Sequence, residues 1–116
     1  MSDRLAIAGF SALSHPVRLA LFKALCERSP ERIAAGDLAQ VFDVPPSTMT
    51  GHLQALERAG LVRSERRSRF MLYSIDAEGT RRLVDFLLAD CCDGRAELIG
   101  VELDLTGRPA SIREAS

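Results

Sequence analysis

Three cysteines stand in this chain, Cys26 alone and then an adjacent pair within Asp90-Cys91-Cys92-Asp93-Gly94. An odd count with two neighbours does not make a disulfide framework. Thiol redox catalysis would want Cys-x-x-Cys at a helix N-terminus, where the helix dipole lowers the thiol pKa. The adjacent pair instead closes an apolar segment, at the opposite end. Histidine occurs only as His15 and His52, without the spacing of a metal hydrolase. No glycine-rich phosphate loop and no Ser-His-Asp set accompanies them. These residues argue against an enzyme. Positive charge is what the chain concentrates. Between Pro45 and Ile75 lie Arg58, Arg63, Arg66, Arg67 and Arg69, against Glu57 and Glu65. From Asp76 onward the acids prevail. The formal net charge of −1 conceals a basic middle suited to an anionic partner.

The elements that must carry these side chains can be read from periodicity. At 116 residues the chain is long enough for one domain. Its apolar fraction of 47% and charged fraction of 27% are those of a soluble globular protein. No apolar run approaches the roughly 20 residues that span a bilayer. The N-terminus lacks the apolar stretch of a secretory signal, so a cytoplasmic location is expected. Leu5, Ala8, Phe10 and Leu13 predict a first helix over residues 3–14. A second helix starts at His15-Pro16, since proline at the first helical position gives up only an N–H that would be orphaned anyway. Val17, Ala20, Leu21, Ala24 and Leu25 form one apolar face of it, and Leu19, Phe22 and Cys26 another; Ser29-Pro30 ends it.

A third helix is predicted over residues 36–43, broken by Val44-Pro45-Pro46. The fourth runs from Pro46 or Ser47 to Ala59, with Met49, Leu53 and Leu56 inward and Gly60 as its cap. Two short helices joined by a tight break, the second polar in its first turns, make a helix-turn-helix pattern. The period then changes to two extended runs, 61–66 and 69–75, with Arg67-Ser68 between them. Asp76 caps a fifth helix containing Leu83, Val84, Phe86, Leu87 and Leu88. This helix is too apolar for a lone surface element, so part of it should meet a second subunit. Residues 1–99 read as one domain. Residues 100–116 read as a loosely ordered tail, with brief alternation that would suit a loose strand.

The stretches LSHPVRLALFKAL, GDLAQVFDVPPSTMTGHLQALERAGLV and RSERRSRFMLYSI resemble the ArsR-type family of winged helix-turn-helix repressors, over roughly residues 10–92. The resemblance implies a mainly α fold with a β-hairpin wing, in the order α-α-α-α-β-β-α. It also implies a homodimer paired through the first and last helices, bound to double-stranded operator DNA and released by an effector. The residues agree with this independently. With Met49 and Leu53 facing the core, Ser47, Thr50, Gly51 and Gln54 must face outward, where short polar side chains reach base edges in a major groove. Thr48 suits a phosphate. Gly51 empties a position that often carries a long polar side chain in the family. Arg67 and Arg69 at the wing tip suit phosphates or a narrow minor groove. His52 reads as a structural histidine rather than a base contact, and Arg18 as an anchor near the DNA face.

The family uses several effector sites. The third-helix Cys-x-Cys pair is absent, and so are the Asp and His ligands of a zinc-type site along the last helix. Residues 90–99 look like the tail of an arsenite-sensing subgroup, in which a Cys-Cys pair precedes a Pro-Glu-x-Cys-like segment. Ala96 and Ile99 stand here in place of that proline and third cysteine. Cys91 and Cys92 are therefore expected to hold trivalent arsenic or antimony, which prefers thiolates. With two thiolates, a monosubstituted arsenical such as methylarsenite suits the pair better than arsenite. Cys26 is either a third ligand or a small hydrophobe in the helix core. Two other readings keep the DNA-binding fold: the cysteines act as a redox or persulfide switch, or no effector site operates. No cofactor is expected beyond the effector.

Overall fold

The structure, a computed structural model, describes residues 1–91, 101–103 and 109–112. Two compact units are distinguished, Met1–Arg81 and Arg82–Ser116. The first helix, α1 (Asp3–Leu13), is capped by Ser2, whose Oγ accepts from the Leu5 N–H at 3.3 Å. Its buried face is Ala6, Gly9 and Ala12, small residues that let neighbouring helices approach closely. Leu5, Ile7 and Phe10 are exposed at 54%, 66% and 38%. The Leu5, Ala8, Phe10, Leu13 spacing predicts the helix itself, but the face that packs within the chain is the small-residue one. Hydropathy favours the large side chains, but close helix contact favours the small ones.

In α2 (Pro16–Glu27), His15 caps the helix through Nδ1, which accepts from the Val17 N–H at 3.2 Å. Leu21 and Leu25 are fully buried, whereas Leu19 and Cys26 on the second apolar face are exposed. Cys26 is thus not packed in the core of this chain, against one of its two expected readings.

The helix-turn-helix is α3 (Ala35–Val41) and α4 (Pro46–Arg58). The break between them is a Schellman turn: Asp43 takes φ 52°, and the Asp43 and Val44 N–H groups donate to Gln40 and Ala39 carbonyls. Pro46 then opens α4 at a position that needs no donor. The same closure ends α4. Gly60, at φ 79°, donates to the Glu57 carbonyl, and Leu61 to that of Leu56. Met49, Leu53 and Leu56 are fully buried along one side of α4.

Strands β2 (Val62–Arg67) and β3 (Phe70–Ile75) form the wing hairpin, pairing from Val62↔Ile75 to Arg67↔Phe70. The turn is Ser68-Arg69, one residue later than the sequence suggests. Ser68 adopts φ 57°, the left-handed geometry that fits a two-residue turn to the strand twist. A two-residue strand, β1 (Ile33–Ala34), joins the far edge through Ile33↔Tyr73, so the sheet order is β1-β3-β2. Its shortness leaves no period to read.

Asp76 caps α5 (Ala77–Asp85) as expected, with its Oδ1 accepting from the Gly79 N–H at 3.0 Å. Gly79 packs against the end of α4 so closely that a Cβ there would collide with the Gly60 carbonyl oxygen. After α5, Phe86–Cys91 winds as a π-helix rather than continuing the α period. Within that second unit Leu83 and Leu88 are buried while Val84 and Leu87 are exposed. In the region read as a loose tail, β4 (Val101–Leu103) and β5 (Pro109–Ile112) pair antiparallel. No single helix among the described residues is long and apolar enough to cross a membrane.

Candidate nucleic-acid interface

The side of α4 opposite Met49, Leu53 and Leu56 carries Ser47, Thr48, Gly51 and Gln54, all exposed, with Thr50 half-buried. Burying one helical stripe forces this result, because residues one or two apart cannot share a face. Gly51 stands in open space, with no atom within 4 Å of a Cβ built on it. Packing therefore does not require a glycine there.

Thr50 and Gln54 also line a groove of about 500 Å³, shared with Arg69, Phe70 and Met71 of the wing and with Gly36 of α3. Of the candidate contacts, Thr50, Gln54 and Arg69 thus share one concavity, whereas Ser47, Thr48, Gly51 and Arg67 do not line it. At the wing tip the Arg67 side chain is 63% exposed, and its Nε lies 3.6 Å from Glu65. Arg32 reaches the same carboxylate at 2.8 Å. Glu65 therefore tethers the wing to the segment before β1 while partly neutralising Arg67. Arg69 is exposed in the turn, with its guanidinium carbon 5.3 Å from the centroid of the Phe70 ring. A larger cleft, about 670 Å³, lies elsewhere, between Pro30, Arg32, Arg63, Ser74 and Asp76. None of the candidate DNA-facing residues lines it.

Behind the exposed face, His52 is held to α2. Its Nδ1 accepts from Arg18 Nε at 3.2 Å, and its ring lies 4.8 Å from that of His15. Burial, then the neighbouring His15 and Arg18, push the His52 pKa below its usual value. A neutral imidazole is what this bond needs, since only an unprotonated nitrogen can accept. Near the other end of α4, Ser64 Oγ donates to Glu57 Oε2 at 2.5 Å, joining helix to wing.

Of the cysteines, Cys26 is exposed, and partial burial with Glu27 beside it pushes its thiol pKa up, away from the thiolate that binds soft metalloids. Cys91 is the last residue of the π-helical stretch. Cys92, with the segment after it, lies outside the described residues. Among the described residues no group of three or more His, Cys, Asp or Glu side chains is placed to hold a metal ion. Two contributors escaped the sequence reading. By sequence Phe70 reads only as a β-former and Glu65 only as a charge against the arginines; an aromatic beside a turn of arginines is the available signal.

Comparison with known proteins adds to this geometry. A model described as a helix-turn-helix domain matches residues 13–65. A biofilm growth-associated repressor of Agrobacterium fabrum is 29% identical over 80 residues, covering 69% of this chain and 66% of its own length. An ArsR-like transcriptional regulator from Rhodococcus superposes with a TM-score of 0.67 at 23% identity, covering 82% of this chain and 87% of that one. A homodimeric winged helix-turn-helix DNA-binding domain from Mycobacterium bovis gives 0.60 at 24% identity, covering 82% and 90%. A "possible transcriptional regulator for arsenical resistance" gives 0.61 at 25%, covering 85% and 95%. With its helix-turn-helix, its two-residue wing turn and its flanking helices, the chain has the winged helix-turn-helix fold and is similar to ArsR-like transcriptional regulators.

Proposed function

We propose that this protein is a dimeric DNA-binding repressor that leaves its operator when a thiol-binding effector is captured at Cys91 and Cys92. The DNA-binding part is carried by one observation: Thr50 and Gln54 of α4 and Arg69 of the wing open onto the same groove. An α-helix of this kind fits a major groove, with the wing against the adjacent phosphates or minor groove. The relatives named as a repressor and as regulators support the same reading. Exposed Leu5, Ile7 and Phe10 and the homodimeric Mycobacterium bovis domain favour a dimer.

The test separates positioning from reading, using a duplex that the wild-type protein selects from a randomised pool. Arg67→Ala and Arg69→Ala should weaken binding to selected and random DNA alike and flatten the salt dependence, because fewer counterions are released. Thr50→Ala and Gln54→Ala should change sequence preference, by about 1–3 kcal/mol where a good base contact is lost. Equal losses on both DNAs for both classes would contradict the assignment.

For the effector, the adjacent thiols at residues 91 and 92 and the arsenical-resistance neighbour support trivalent arsenic or antimony, with methylarsenite competing well against arsenite. A coupling of about 1–3 kcal/mol between effector and DNA suffices for derepression. DNA release is compared between wild type and Cys91→Ser/Cys92→Ser over an arsenical titration. A double mutant that still responds moves the site to Cys26 or elsewhere. A wild type that ignores arsenicals but responds to persulfide or peroxide makes the pair a redox switch.

A further inference from the structure

We propose that Phe70 is the positioning residue for Arg69, and that the two side chains meet DNA as one unit at the wing tip. The inference rests on the DNA-binding reading above. Phe70 is the first residue of β3, directly after the Ser68-Arg69 turn, and is 51% exposed. An aromatic side chain half in water at a hairpin tip contributes little to the core. Its ring instead lies under the Arg69 guanidinium, whose central carbon is 5.3 Å from the ring centroid, within the range of a cation–π contact.

Arginine carries large rotamer freedom, and a turn residue would present its charge as a diffuse cloud. Resting on a ring fixes the planar guanidinium and reduces the ordering cost that DNA binding would otherwise incur. Arg67 differs in kind: it has a carboxylate, Glu65, as its neighbour. A carboxylate competes with phosphate for the cation, whereas a phenyl ring leaves its charge intact. Arg69 is therefore held without being neutralised. Phe70 and Arg69 also line the groove that Thr50 and Gln54 enter, which puts the paired side chains on the DNA-facing side.

The test is a double-mutant cycle in the full chain, read as affinity for the wild-type-selected duplex. Phe70→Leu should weaken binding roughly two- to fivefold, the factor expected of an exposed cation–π pair, without changing the salt slope. In the Arg69→Ala background the same substitution should have no effect, and Phe70→Tyr, which keeps the ring, should bind like wild type. A Phe70→Leu effect that persists in full without Arg69 overturns the proposal, as does a Phe70→Leu protein that binds like wild type. Should Phe70→Leu fold poorly, Arg69→Lys asks the question from the cation's side. It keeps the charge and loses the planar stacking face, so affinity should fall at constant salt slope; unchanged affinity overturns the inference. A wild type that selects no duplex at all strikes at the DNA-binding reading. Binding that is indifferent to Phe70 strikes only at this pairing.

Discussion

His52 sits on the helix proposed to read DNA, yet its imidazole is turned back to accept from Arg18 of α2. Its depressed pKa has a direct consequence for stability. The unfolded chain takes up the proton near pH 6.5, before the folded chain does, so it binds more protons over the interval below that value. Folding stability is thus complete above about pH 6.5 and declines as pH falls through that interval to the folded pKa. Below it the loss is complete and constant. His52→Gln keeps an acceptor without titrating, so thermal midpoints measured from pH 8 to pH 5 should fall less steeply than those of wild type. Parallel slopes would show that the proton goes elsewhere. The structural role of His52 was legible in the sequence from its place on the inner edge of α4. Its partner was not, because Arg18 is 34 positions away and no local pattern links them.

Among the elements, α4 combines a fully buried apolar stripe with an outward face that holds a glycine in open space. Glycine in a helix interior costs about 0.5–1 kcal/mol relative to alanine. Gly51→Ala should therefore raise the thermal midpoint by a few degrees, since the added methyl meets nothing. If the empty position serves close approach of the helix to DNA, the same variant should bind the selected duplex more weakly. A variant that gains stability and binds equally well would leave Gly51 without a role in recognition. The glycine at 79 gives the opposite case, with the Gly60 carbonyl already occupying the space of a Cβ. The fifth helix shows a limit of periodicity. Its apolar residues predict one continuous helix, but the backbone passes into π winding from Phe86 to Cys91, where the 3.6-residue period no longer holds.

For the whole molecule, the unexplained surface is the apolar face of α1. Leu5, Ile7 and Phe10 point to water in the single chain, while Ala6, Gly9 and Ala12 do the internal packing. A two-fold dimer covering this face would set two recognition helices in successive major grooves, roughly 34 Å apart. Ile7→Glu should then produce a monomer in sedimentation at micromolar concentration. It should also lower affinity for a two-half-site duplex by roughly tenfold or more, because a carboxylate cannot be buried there unpaired. A wild type that is itself a monomer at that concentration would remove the basis for paired half-sites. The charge pattern belongs to this scale too: a near-neutral chain can still bind an anion when its cations are gathered in one wing.

Local chemistry was enough to determine the order of helices, the break at Val44 to Pro46, the cap at Asp76 and the outward set on α4. Each depends on residues within a turn or two of one another, through proline geometry, capping bonds and a 3.6-residue period. The two-residue strand β1, the Arg18–His52 bond, the shared Glu65 carboxylate and the contact of Gly79 with Gly60 were decided only by tertiary structure. So was the choice of small over large residues as the inward face of α1. Each of these depends on how closely segments far apart in the chain approach, and hydrophobic patterning carries no measure of that distance.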